Sequence, residues 1–427
     1  MAETSKQAEF PILIIGAGCS GLALAHGLHL KDIPYKLFER DSSFVSRNGR
    51  DWGMACHWAI PGLKVLIGEE KWSRLNESFV DPHLPLNDVD HIPMLNGATG
   101  EQVNNLPIPN FHRFLRSRLR TYIASNGGVD VSFGKKLERI EYADDGTSVT
   151  AHFEDGTAET GRLLVGADGS QSRVRSLLFG PEVGALKKLP LAATFITASF
   201  PREQALRYRS KVHPVMHAYI HPQDMLGMLS TLDAEDPDPE QWRFASYVSW
   251  PCSIEEQTRD RARSTREKLA QAREKAQAFT PYLRSFYDSL REDIQEVYYT
   301  TSANWDPSVP GHEWDTHGGR VTLVGDAAHP MTYHRGQGLN HSLMDVYKLF
   351  ELLINPEGRS QAELIKVYED EMRVRGGAEV QLSEKNSLML HNWEVASKSP
   401  LIQRGVAFGS SGNTKPDGDS SETKVAA

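Results

Sequence analysis

The sequence predicts an α/β protein in which a parallel sheet is interrupted by an antiparallel one and followed by C-terminal helices. Three observations carry this. From Phe10 the chain reads FPILIIGAGCSGLALAHGLHLKDIPYKLFER: an apolar run, glycines, a helical apolar pattern and a second apolar run, which is a β-α-β unit. Between about Thr194 and Trp250 short apolar runs alternate with Pro, Gly, Asp and Asn, as in an antiparallel sheet. At Gly319 a strand pattern returns in GRVTLVGDAAHP and leads into GLNHSLMDVYKLFELLI and QAELIKVYEDEMRVRG at helical spacing. At about 150 residues per domain, 427 residues suggest two or three domains.

Composition narrows the class. Hydrophobic residues are 39% and charged residues 24%, too apolar for a disordered chain and too charged for a membrane bundle. The formal charge of −9, with no long basic run, argues against a nucleic-acid partner. The opening MAETSKQAEF has no signal-peptide pattern, no stretch is long enough to span a membrane, and a cytoplasmic location is the expectation. Cys19, Cys56 and Cys252 lack paired spacing, so neither a disulfide framework nor a metal site is expected.

Within the first unit Gly16, Gly18 and Gly21 have G-x-G-x-x-G spacing after a strand, and Glu39 closes the second strand. This is the dinucleotide fingerprint of a Rossmann-like fold in its required context. The first glycine permits the turn, the second leaves room for a pyrophosphate, and the third lets the helix pack closely. The helix N-terminus offers unpaired N–H groups. A carboxylate at Glu39 suits an unphosphorylated ribose, as in FAD or NAD. Cys19 occupies a small-residue position in the loop and is read as structural.

Further along, NFHRFLRSRLRTYIA reads as a helix from Asn110 to Ala124 with Leu115, Leu119 and Ile123 on one face. EDGT at Glu154–Thr157 punctuates a hairpin, and RLLVGADG reads as a strand ending in Asp-Gly. The charged, Ala-rich stretch from Ile254 to about Leu290 suits a solvated helix. The Gly- and Ser-rich residues 409–427 suit a disordered tail.

GADGSQSRVR (Gly166–Arg175) and VTLVGDAAHPMTYHRGQGLNHSLMD (Val321–Asp345) resemble the Asp-Gly and Gly-Asp motifs of the class A, para-hydroxybenzoate hydroxylase-like FAD-dependent monooxygenases. The resemblance runs from about Phe10 to Arg375, and RDWGMACHWAIPGL, MLNGATGE, HPMT and RGQGLNH resemble a subgroup common in fungal secondary metabolism. It implies FAD as cofactor, with Asp326 holding the ribityl chain and Asp168 supporting FAD and the nicotinamide path. It also implies Arg116 near the FAD phosphates (neighbouring Arg113, Arg118 and Arg120 being alternatives) and Arg50 on a loop touching FAD or the nicotinamide. The GQGLN loop, with Gly336, Gly338, Leu339 and Asn340, is expected to turn its backbone N–H groups toward the flavin. Where many members carry proline, this chain has Tyr333, read either as a functional phenol or as a packing ring.

The resemblance further implies that NADH or NADPH reduces FAD, that O2 adds to give a flavin hydroperoxide, and that an aromatic or polycyclic small molecule is hydroxylated. Alternatives on the same fold are epoxidation, dehydrogenation or ring rearrangement, and a non-catalytic FAD-binding protein. The implied domain layout is discontinuous: 10–75, 100–180 and 301–360 for FAD, 76–99 and 181–300 for substrate, and 361–408 as a C-terminal helical segment. His57, beside Trp58, is a pocket or packing residue. In PVMHAYIH, alternation puts Val215, His217, Tyr219 and His221 on one face, which either lines the cleft as a source of a base or is the solvent side. His213, His217 and His221 lie roughly 13 Å apart in succession, too far to share a metal.

Overall fold

The computed structural model describes residues 10–45, 50–125 and 129–399, so the tail expectation for 409–427 lies outside the described residues. Its first layer is a five-stranded sheet in which Ile12–Ile15 is flanked by Tyr35–Phe38 and Leu163–Gly166, with Val131–Ser132 and Val321–Leu323 at the edges. All of its pairings are parallel. Ile12–Ile15 is buried along its whole length, which explains an uninterrupted apolar run instead of an alternating one. Helices Cys19–His29 and Gly338–Ile354 share its core through Leu22, Leu343 and Phe350.

The second layer is a seven-stranded sheet in the order Val297–Asn304, Lys187–Ala198, Arg243–Pro251, Met225–Asp233, Met216–His221, Val89–Asn96, Gln102–Pro109. It is antiparallel except where Met216–His221 runs parallel to Val89–Asn96. Strands from residue 12 to residue 323 close one parallel sheet around this second one, so the chain leaves the first layer and returns to it.

Four expectations change. Gln102–Pro109 belongs to the seven-stranded sheet, because it forms a hairpin with Val89–Asn96, and Val297–Asn304 joins the same sheet against Lys187–Ala198; the expected breaks at 100 and 300 shift accordingly. The helix expected over 110–124 begins at Arg116, since His112–Leu115 is a strand paired with Gly53–Cys56.

The charged stretch is three helices, Ile254–Arg261, Thr265–Ala276 and Pro281–Asp288. Capping boxes at Ser253/Glu256 and Ser264/Glu267 start the first two, and Pro281 starts the third. The third buries Tyr282, Leu283, Phe286 and Tyr287, so its face is core and not solvated. The face of Met216–His221 carrying His217, Tyr219 and His221 lies beneath these helices: His217 is 1% exposed and stacks on Tyr282 at 5.8 Å.

Candidate active site

At the end of the first strand Gly16 has φ +109°, and a Cβ there would lie 2.5 Å from the Ala167 carbonyl oxygen. A Cβ on Gly21 would lie 2.0 Å from the Gly16 oxygen, so helix and loop meet only through glycine. Gly18 differs: its nearest neighbour would be 3.8 Å away, which leaves open space before the uncapped N-terminus of helix Cys19–His29. Glu39 is buried beside this loop, accepting from the Ala17 and Asp41 N–H groups at 3.0 Å each. The loop, the open N-terminus and the carboxylate fit a dinucleotide.

Two further loops meet this one. Asp168 accepts from the Arg173 and Val174 N–H groups through Oδ2, while its buried Oδ1 has no hydrogen-bond partner among the described residues. Arg175, 2% exposed, donates to the Ser170 carbonyl at 2.6 Å and the Ala327 carbonyl at 2.9 Å, which ties the Asp-Gly loop to the Gly-Asp loop. Asp326 is exposed, and its Oδ1 lies 3.9 Å from where a Gly338 Cβ would stand. Behind it Asp345, fully buried, accepts from the Gly325 N–H at 2.7 Å, from His329 at 2.6 Å and from Arg375 at 2.7 Å. Burial alone would raise the Asp345 carboxyl; His329 and Arg375 overcome it and hold Asp345 well below the usual carboxylate range.

Gly336 is left-handed at φ +65° and precedes helix Gly338–Ile354, whose N-terminus has no side-chain cap. Leu339 lies in that open first turn. Asn340 is fully buried and its oxygen accepts from the His57 N–H at 2.9 Å, so this side chain braces the loop against Gly53–Cys56 and its extension. Gln337 accepts from Trp58 Nε1 at 2.8 Å and donates to His57 Nε2 at 3.3 Å. Burial holds His57 down at about 4, and its Nε2 lone pair is committed to Gln337. His57 is thus a positioning side chain in this state, not a base open to a substrate.

The arginines separate by partner. Arg118 pairs with Asp233 at 2.6 Å, and Arg120 donates to the Ala17 carbonyl at 2.8 Å. Arg116 opens its helix and packs over Trp52 at 4.5 Å, with no ion pair or side-chain hydrogen bond among the described residues. Arg50 lies against the rings of Trp52, Phe195 and Tyr298 at 5.5, 5.9 and 5.6 Å.

Tyr333 is 36% exposed and meets Phe195 and Tyr247, on the seven-stranded sheet, at 5.3 and 5.6 Å between ring centroids. These rings form an aromatic cluster between the sheet and the turn that leads into the GQGLN loop. The next residue, His334, was not signalled by any motif. Thr332 donates to the Ser383 carbonyl and Ser387 donates to Thr332, so the Ser387 oxygen accepts from His334 Nδ1 at 2.8 Å. His334 Nε2 keeps its lone pair, buried and without a hydrogen-bond partner among the described residues. His217 lies on the opposite face of the sheet, under the helices, and burial takes it down to about 3; a role in the cleft is not supported by its position. Among the described residues no three metal-ligating side chains cluster.

The model of the FAD binding domain family matches residues 73–383. The chain is 33% identical over 399 residues to the FAD-dependent monooxygenase phnB of Penicillium herquei, covering 92% of this chain and 94% of that one. It is 34% identical over 398 residues to the FAD-dependent monooxygenase cctM of Talaromyces islandicus, covering 92% and 96%. Among solved structures, Klebsiella pneumoniae HpxO complexed with FAD and uric acid superposes with a TM-score of 0.70 at 19% identity, over 93% of this chain and 92% of that one. The 2,6-dihydroxypyridine-3-hydroxylase of Arthrobacter nicotinovorans gives 0.70 at 18%, over 96% and 98%. The loops above fit the cofactor these matches imply, and the chain belongs to the FAD-dependent monooxygenases.

Proposed function

We propose that this enzyme uses NADH or NADPH and O2 to hydroxylate an electron-rich aromatic or polycyclic small molecule in the cytoplasm. The observation that carries this reading is the aromatic cluster of Phe195, Tyr247 and Tyr333 beside the turn into the loop Gly336–Asn340. FAD, when bound, supplies the redox and oxygen chemistry. The protein's part is placement. Gly16 and Gly21 let the loop close onto its neighbours, Gly18 leaves space for the pyrophosphate, Arg116 offers a guanidinium without a carboxylate partner to it, and Glu39 lies where a ribose would sit. Asp168 Oδ1 and Asp326 are acceptors with capacity to spare for hydroxyl groups.

The uncapped N-terminus at Gly338–Asn340 presents fixed N–H dipoles where negative charge develops on reduction. Arg50, at the rim, suits the entry of an anionic reductant. No described helix is long and apolar enough to cross a membrane. The test is reconstitution with FAD and either nicotinamide, with a panel of polyhydroxynaphthalenes and isotopic O2. A panel member should accelerate nicotinamide oxidation and carry one labelled oxygen. Substrate-stimulated oxidation without any label in the product rejects hydroxylation in favour of dehydrogenation.

A further inference from the structure

Helix Gln361–Leu390 has two faces with different partners. One face backs the candidate active site: Arg375 reaches Asp345 at 2.7 Å, Glu379 accepts from Arg335 at 2.7 Å, and the Ser383 carbonyl accepts from Thr332 at 2.8 Å. The other face leaves apolar side chains in solvent. Val374 is 71% exposed, Val367 and Leu382 are 45% exposed each, and Leu388 is 39% exposed. Single apolar residues on a surface need no explanation, but these are aligned along one helix.

They are also ordered about Ala378, itself exposed. Val374 stands four residues before it and Leu382 four after, Glu371 seven before and Lys385 seven after, Val367 eleven before and the half-buried Met389 eleven after. Steps of four, seven and eleven return to one face of an α-helix. The face therefore reads the same outward in both directions, apolar then charged then apolar, with opposite signs at the two charged places. A second copy laid antiparallel across a two-fold axis at Ala378 sets Val374 of each copy beside Leu382 of the other, Glu371 beside Lys385, and Val367 beside Met389. A parallel pair would instead oppose Glu371 to Glu371 and Lys385 to Lys385, which like charges disfavour.

The charges and the space suit this arrangement. Lys385 is exposed, and among the described residues no carboxylate lies within ion-pair distance of it. Glu371 is fixed by Arg375 at 2.9 Å and Lys348 at 3.4 Å, yet 37% of its side chain stays exposed. The methyl of Ala378 at the axis lets two helices approach to the usual 8–10 Å. From Val367 to Met389 the seam is about 33 Å long and about 12 Å wide, about 400 Å² on each copy before the flanking Leu388 is added. That is the low end of specific association, so the pair is a reversible one with a Kd on the order of 10 µM.

We infer that the outer face of helix Gln361–Leu390 is a self-association surface, and that its partner is a second copy of this chain docked antiparallel about Ala378. Two copies then meet on the outer side of the helix whose inner side holds Asp345 and the turn before Gly336.

The test uses the full chain loaded with FAD. Sedimentation velocity from about 1 to about 100 µM should show wild type passing from monomer to dimer. Val374→Glu should stay monomeric throughout, and Lys385→Glu should raise Kd about threefold to tenfold. Cross-linking reads the direction of the helices, since the natural cysteines Cys19, Cys56 and Cys252 are buried. Under mild oxidation Ala378→Cys should link to itself across the axis. Val374→Cys mixed with Leu382→Cys should give the mixed dimer, while either alone should not link. A chain still monomeric at about 100 µM, or a dimer that survives Val374→Glu, overturns the inference. Linking of Val374→Cys to itself, or failure of Ala378→Cys to link, overturns the antiparallel arrangement. All substituted positions face solvent, and retained flavin absorbance in each variant shows that a lost dimer is not a lost fold.

Discussion

The two walls of the active site are built from different materials. The parallel-sheet wall is made of backbone and buried charge: glycines that admit no Cβ, helix N-termini without caps, and Asp345 holding Gly325, His329 and Arg375 together. The seven-stranded wall is made of side chains, with Phe195, Tyr247 and Met216 facing the loop and His217, Tyr219 and His221 turned away under helices. A cofactor that does not change demands fixed backbone geometry on its side. A substrate wall meets its ligand through replaceable side chains on a sheet that any apolar sequence can supply. The contrast predicts that damage on the first wall is severe and general, and that damage on the second is graded and specific.

The largest effect is expected from Gly21→Ala. The new methyl would lie 2.0 Å from the Gly16 oxygen, against backbone that has no room to yield. The purified protein should carry no flavin absorbance, and normal FAD content would break the comparison at once. Asp345→Asn comes next: it keeps the shape but leaves Arg375 and His329 without their buried counter-charge, at about 3–5 kcal/mol. Chemical denaturation should show the loss directly.

The dependence of stability on pH follows from the buried histidines. Unfolded histidine titrates near 6.5, whereas burial takes His57 and His391 to about 4 and His217 and His341 to about 3. Below pH 6.5 the unfolded chain takes up protons that the folded chain refuses, so stability falls on acidification, by about 1.4 kcal/mol per pH unit for each proton. Glu369 acts in the opposite sense. Burial raises it from 4.5 to about 8, so the folded chain keeps a proton that the unfolded chain has lost, and stability falls as pH rises through that window. These four histidines outweigh the one carboxyl until about pH 7, where the unfolded imidazoles have lost most of their protons, and Glu369 dominates above it, so the melting temperature should peak near pH 7. Glu369→Gln should flatten the alkaline side of that profile and steepen its acid side down to about pH 4.5.

Arg116→Ala should weaken FAD binding by roughly tenfold to a hundredfold, the size of one charge-assisted hydrogen bond, measured by flavin fluorescence. Among the described residues its guanidinium meets only the Trp52 ring, so the apoprotein's melting temperature should hardly change. The smallest effect is expected from Tyr333→Phe. The ring contacts with Phe195 and Tyr247 survive, and kcat/KM should stay within about threefold, or about 0.6 kcal/mol. A thousandfold loss would make the phenol hydroxyl itself a reacting group and sharpen the reading of the cleft.

Legibility in the sequence follows the same division. Gly16, Gly18, Gly21, Glu39, Asp168, Asp326 and the GQGLN loop could be read because backbone constraints force particular residues at particular spacings, and the structure brings those loops to one place. Asn340 and His57 could be read as belonging to the site, but their roles as braces could not, since a side chain's partner 283 residues away leaves no local trace. Arg113 was hidden inside a helical pattern. The helix phase holds for Leu119 and Ile123, but pairing of His112–Leu115 with Gly53–Cys56 overrides it ahead of Arg116 and sets Arg113 opposite Ala55. The alternation of PVMHAYIH correctly divided the strand into two faces and left undecided what covers each.

By itself, then, the sequence determined the α/β class, the nucleotide loop and the interleaved order of the sheets, because glycine spacing and hydrophobic period are local properties of the backbone, and the resemblance of its Asp-Gly and Gly-Asp motifs pointed to the family. Which face of a strand becomes the cleft, which arginine lacks a carboxylate and which histidine keeps a free lone pair were decided only by tertiary structure. Those properties depend on the neighbours that burial supplies, and the neighbours of Arg113 and His334 come from strands and helices about 50 to 100 residues away.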